Sequence, residues 1–235
     1  MHDAAHVAAT LLQAGIVAMG VVAIRRADAA AVINAAFALT VALVPAGVAA
    51  VAPTAVAEAM SATPELSLWL ALAGFLHVVG MLGWYDTVRW WDHLTHTLSA
   101  GLLASLVYGS LVAVSRSSGP VFWPGGLAGA TIGFVFALGV FWEIGELLAR
   151  DIADWLDIEP VLVHYGWRDT ALDLVFDVVG ALLVVGVDLR LFVEVAAVSP
   201  TATRTALVWT GQVVGAGSVL TVAGMLLTRY ARDAR

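Results

Sequence analysis

The chain reads as an all-α protein, a polytopic transmembrane bundle of about seven helices forming one integral membrane domain over residues 1–235. Three observations carry that reading. Of the 235 residues 61% are hydrophobic, the mean hydropathy is +0.92 and only 12% are charged, values beyond those of soluble globular domains. Apolar stretches of roughly 20 residues, enough for a helix to cross about 30 Å of hydrocarbon, recur along the chain. The connections between them are polar and too short to hold a soluble domain.

The first segment, about 6–24, has no basic stretch ahead of it and is followed at once by another span, which marks a retained helix and not a cleaved signal. The turn Arg25-Arg26-Ala27-Asp28 leads to the second, about 30–52, and a Pro-bounded acidic loop to the third, about 66–84. WYDTVRWWD precedes the fourth, about 93–114, and SRSSGPVFWP the fifth, about 125–148. A polar stretch over 149–169 precedes the sixth, about 170–190, and VSPTATR the seventh, about 205–228. Gly125, Gly129 and Gly133 recur at every fourth position in the fifth segment, as do Gly211 and Gly215 in the seventh. Such small faces predict close packing, for the fifth segment against the fourth and sixth.

Orientation follows from arginine, the only basic side chain besides histidine in a lysine-free chain. Seven crossings put Arg25, Arg26, Arg89, Arg150, Arg168, Arg229, Arg232 and Arg235 on one side and Arg116, Arg190 and Arg204 on the other. The richer side is expected to be cytoplasmic, so the amino terminus is outside, the carboxyl terminus is cytoplasmic, and Trp84, Tyr85, Trp90 and Trp91 lie in the inner interfacial belt. A net charge of −7 argues against a nucleic-acid partner. With no cysteine, disulfides and thiolate chemistry are excluded, and imidazole and carboxylate remain as strong metal ligands.

Against this apolar background, eight metal-grade side chains stand out: Asp92, His93 and His96 in WWDHLTH, Glu143 and Glu146 in FWEIGE, and Asp169, Asp173 and Asp177 in RDTALDLVFD. Ionisable groups in membrane helices are costly and mark a site or an ion path. The topology puts all three sets at the cytoplasmic ends of the fourth, fifth and sixth helices. Spacings of three and four keep each set on one helical face, so the faces can converge. Clustered carboxylates in a low dielectric need protons, arginine partners or a cation. A divalent metal, zinc, iron or manganese, is expected, with His93, His96, Glu143, Glu146 and Asp173 as ligands. The competing reading is an arginine-bridged polar network drawing on Arg89, Arg150 and Arg168. Asp92 and Asp169 stand where they serve either as N-caps or as support behind the ligands, and Asp177 is the deep member of its set. His77 reads as a packing histidine, His2, His6 and His164 as loop or terminal residues, and Asp188 as a surface partner of Arg190.

The runs YDTVRWWDHLTHTLSAGLL, FWEIGELL and WRDTALDLVFDVVGALL resemble the small multispanning YjdF-type inner-membrane family, in which matching aspartate/histidine, glutamate-x-x-glutamate and tryptophan-rich aspartate segments follow in this order. The resemblance covers the fourth to sixth helices. It implies a shared fold and site through His96, Gly101, Glu143, Glu146, Asp169, Thr170, Asp173 and Gly180. His93 and Asp177 depart from the pattern, and the family's activity is undefined.

Three functions follow as expectations for a multi-pass protein of the cell membrane. One is a metal-dependent hydrolase of a lipid-type or small-molecule substrate, with Glu143 as general base. Another is a cation or proton transporter whose path runs from Asp169 to Asp177. The third is a non-catalytic membrane scaffold.

Overall fold

The computed structural model describes residues 2–120 and 123–233; Arg235 and the side chains of His2, Arg229 and Arg232 lie outside the description. The apolar segments fold as helices, and no strand occurs among the described residues. The helices α1 (His2–Arg25), α2 (Ala29–Val51) and α4 (Pro64–Val79) form one group, with the short α3 (Thr54–Ser61) between the last two. Asp28 caps α2 by accepting a hydrogen bond from the Ala31 backbone amide at 2.8 Å. The group packs mainly through the small side chains of Ala9, Ala35, Ala38, Ala42 and Ala71, with the larger Ile16 and Val78 buried among them, as membrane helices do where no hydrophobic force separates protein from lipid.

At its end α4 widens into a π-helical turn (Gly80–Trp84), turns sharply at Gly83 with φ 117°, and continues as α5 (Tyr85–Thr87). The Tyr85 ring lies against Gly80, where any side chain would collide with it. The second group comprises α6 (Trp91–Ser118), α7 (Gly126–Leu156) and α8 (Trp167–Gly186), with the short α9 (Val193–Ala197) beneath. Ala100, Ala104, Tyr108, Val112, Val135, Ala181, Val184 and Val193 make its core. Leu66, Leu102 and Phe192 join the two groups, and the Trp69 and Trp91 indoles donate to the Leu98 and Leu76 carbonyls, each at 3.1 Å. Finally α10 (Pro200–Asp233) lies along α6 and α7 with Val208, Trp209, Val219 and Leu220 exposed.

Among the described residues six helical stretches are long and apolar enough to cross a membrane: Asp3–Arg25, Ala29–Val51, Pro64–Thr87, Trp91–Ser118, Gly126–Leu156 and Pro200–Thr228. The expected sixth crossing, α8, has the length but carries Arg168, Asp169, Asp173 and Asp177 among its first eleven residues. Its pattern is inverted: Leu172, Val175, Leu182 and Leu183 are exposed, whereas Asp173, Asp177 and Gly180 are buried. A helix built this way suits an apolar surround with a polar interior.

Two expectations need correction. The fifth segment does not stop near residue 148, because α7 runs to Leu156 through the polar stretch, where Arg150 and Asp151 pair. Its 31 residues rise about 46 Å, more than the hydrocarbon layer requires. Nor do Gly125, Gly129 and Gly133 press α7 against its neighbours. Gly125 caps the helix with φ 78°, and Gly129 and Gly133 face Pro124 and Trp123 of the preceding loop. In the last helix Gly211 lies beside Phe134 of α7, while Gly215 faces open space.

A His/carboxylate site between three helices

The close approach that matters is between α6 and α8. A side chain on Gly180 would run into the Thr97 carbonyl, and its Cβ would stand 2.9 Å from the Gly101 amide nitrogen, so the two backbones touch here. The helices run parallel, with His96 beside Asp177, Gly101 beside Gly180, and Tyr108 beside Asp188. Antiparallel to them, α7 sets Gly139 against the Asp177 carboxylate and Glu143 against Thr170. The first turns of α6 and α8 and the second half of α7 therefore meet at one end of the bundle.

His96 is the hub. Its Nδ1 is 3.1 Å from Asp177 Oδ1, and its Nε2 faces Asp92 Oδ1 at 3.8 Å and Asp173 Oδ1 at 3.9 Å. Asp173 is 2% exposed, and its Oδ1 has no hydrogen-bond partner. The three atoms of Asp92, His96 and Asp173 converge as potential ligands. Four-coordinate ligands about 2.1 Å from a zinc ion stand about 3.4 Å apart, so a modest closure would suffice. Asp177, the deep member of the sequence set, supports the ring from behind.

A second group gathers on α7 and the following loop. Ligand atoms of Glu143, Glu146 and His164 lie within 4.8 Å of one another. Glu143 is 4% exposed; its Oε2 accepts from the Thr170 hydroxyl at 2.7 Å, and its Oε1 has no partner. Glu146 Oε1 accepts from the Trp142 indole at 3.0 Å. Burial, reinforced by the Arg150 charge, lowers the His164 pKa below its ordinary value, which favours the neutral ring.

The remaining predicted residues are placed as follows. His93 stacks on Phe176 with ring centroids 4.3 Å apart, its Nδ1 buried without a partner, outside both groups. Asp92 and Asp169 are not N-caps: Trp90 and Gly166 hold those positions, and both aspartates sit in first turns, where the helix dipole favours negative charge. Among the described residues no arginine forms an ion pair with the acids of either group; Arg150 pairs with Asp151 and Arg168 lies 5.6 Å from the Trp167 ring centre. His77 is a packing histidine, bonded to Tyr85 Oη at 2.8 Å and Asn34 Oδ1 at 3.0 Å. Asp188 accepts from Arg190 Nε at 2.8 Å and also from the Tyr108 hydroxyl at 2.6 Å. Sequence reasoning missed His164, because nothing in a loop's spacing says which way it folds back. The four-residue spacing of Asp173 and Asp177 did put them on one face.

Membrane-length helices with ionisable side chains turned inward define a polytopic helical membrane protein. The chain belongs to the family of predicted membrane proteins DUF2238, whose model matches residues 7–194. That span includes every residue of both groups and ends before α10. A multispanning membrane family of undefined activity is what the resemblance over α6 to α8 implies. No curated protein and no solved structure matches the chain.

Proposed function

We propose that the cluster on α6 and α8 is a divalent-metal site, held by Asp92, His96 and Asp173, in a hydrolase acting on a lipid-type substrate at the membrane surface. One observation carries the reading. His96 turns Nδ1 to Asp177 Oδ1 and Nε2 to oxygens of Asp92 and Asp173, the latter buried and unpartnered, so that a ring carrying its proton on Nδ1 would aim the Nε2 lone pair at both carboxylates. Three acceptors facing one another call for a cation. A carboxylate behind the imidazole is the usual support of a metal-binding histidine. Here the bound metal would polarise an ester oxygen and make water acidic enough to attack near neutral pH.

The chain's own residues would do the rest. Asp177 fixes the His96 ring, and Glu143, oriented by Thr170, takes up the proton released as water attacks. The inner interfacial position expected from the arginine distribution places the cluster at headgroup depth on the cytoplasmic side. Transport is the weaker reading, because past Asp177 the interior is filled by Ala100, Ala104, Val135, Ala181 and Val184.

The test is metal analysis of the detergent-purified chain beside His96→Ala and Asp173→Asn. Stoichiometric zinc, iron or manganese in the parent, lost from both variants, is the expected result. A parent without metal, or variants that keep it in full, would overturn the proposal.

A further inference from the structure

We infer that Glu143, Glu146 and His164 form a second divalent-cation site, so that the polar end of α6, α7 and α8 holds two metal ions. This extends the metal reading of the His96 cluster, but it stands on different atoms. Three ligand-type atoms lie within 4.8 Å of one another, and Glu143 Oε1, on a side chain only 4% exposed, has no hydrogen-bond partner. Each glutamate already spends one oxygen on an orienting donor, Thr170 for Glu143 and Trp142 for Glu146. What remains is one free oxygen on each carboxylate and an imidazole.

The loop that brings His164 here is anchored on both sides of the residue. The Val161 carbonyl accepts from Asn34 Nδ2 at 2.7 Å, and the Tyr165 hydroxyl donates to Asp86 Oδ1 at 2.9 Å. Asn34 is itself held between the Ala30 carbonyl and His77, which bonds to Tyr85. The first helix group thus sets where the loop of the second group ends. Glu143 and Glu146, three apart on α7, present two carboxylates side by side, a repulsive arrangement when both are ionised unless a positive charge lies between them. One imidazole and two carboxylates suit zinc, manganese or iron. With this site filled, Glu143 would act as a ligand, and the proton of the attacking water, its pKa lowered by the metal, would pass to bulk solvent instead of to Glu143.

The full chain in detergent, loaded with Zn²⁺ or with Mn²⁺ and freed of excess by gel filtration, should carry two ions. His164→Ala and Glu146→Gln should each carry one, His96→Ala one, and the His96→Ala/His164→Ala double variant none. Because His164 is half-exposed on a loop, its replacement should leave the thermal melt of the metal-free protein in place. Tyr165→Phe, which frees the loop without touching a ligand, should weaken the second ion roughly tenfold and leave the first alone. A parent with one ion that His96→Ala removes and His164→Ala retains overturns this inference and leaves the first site standing. One ion lost only with His164 does the reverse, and a parent that binds neither ion sinks both.

Discussion

Gly139 has no side chain at the point where the Asp177 carboxylate reaches across to α7. A methyl group there would collide with Asp177 Oδ2, and Leu174 Cδ2, 3.1 Å from the added atom, blocks retreat along α8. In Gly139→Ala the carboxylate must swing away and release the His96 ring. We expect cation affinity at the His96 site to fall about 10- to 100-fold, the effect of losing a supporting partner of a ligand. The fold should lose about 1–3 kcal/mol from overpacking. Zn²⁺ titration and thermal melts measure the two effects separately. Unchanged affinity in a correctly folded Gly139→Ala protein would show that Asp177 does not orient the imidazole. Nothing in the sequence singled out Gly139, because the every-fourth-residue glycines of α7 end at Gly133, nearly two turns earlier, and face the preceding loop.

Between helices, the turn after α8 depends on one carboxylate. Asp188 occupies the left-handed region with φ 53°, a conformation aspartate tolerates better than most residues, and it ties the end of α8 to Tyr108 of α6. The Arg190 hydrogen bond, and after it the Tyr108 hydroxyl, hold its pKa below the ordinary 3.8. A carboxylate depressed in this way binds fewer protons folded than unfolded. Its contribution is therefore present above pH 3.8 and is lost as pH falls through the lower folded value. Amide exchange across residues 187–192 should quicken on acidification below that value, whereas Arg190→Ala should show the faster exchange at neutral pH. Equal exchange in parent and variant would remove Arg190 from the account. At this scale much of the molecule was legible: six of the seven expected membrane-length apolar helices, the Asp188–Arg190 pair, and three acidic or histidine-bearing faces meeting at one end. The division of those faces into two groups was not. It depends on which helices run closest, set by Gly101 and Gly180, and on a loop whose course is fixed by Asn34, more than a hundred residues away in sequence. His93 shows the same limit, because its spacing from His96 matches a ligand pair while the ring stacks on Phe176.

For the molecule as a whole, the arginine distribution makes a claim that the absence of cysteine renders easy to test. Single cysteines at Ser118, after α6, and at Asp157, after α7, should react from opposite sides of the membrane. With the amino terminus outside, Ser118→Cys is expected to react with an impermeant maleimide in intact cells, and Asp157→Cys only after permeabilisation. The opposite pattern would invert the topology and move both proposed ion sites to the outer surface. The inward acids of α8 also bear on how the protein is made. A segment with three aspartates and an arginine among its first eleven residues gains too little from lipid to leave the translocation machinery alone, since a single aspartate at a helix centre costs about 2.5–3.5 kcal/mol. It has to be received by helices already in place, α6 against Gly180 and α7 against Asp177. Biogenesis would then follow a fixed order, with α8 seated last among the three and the polar cluster assembled in the act of insertion.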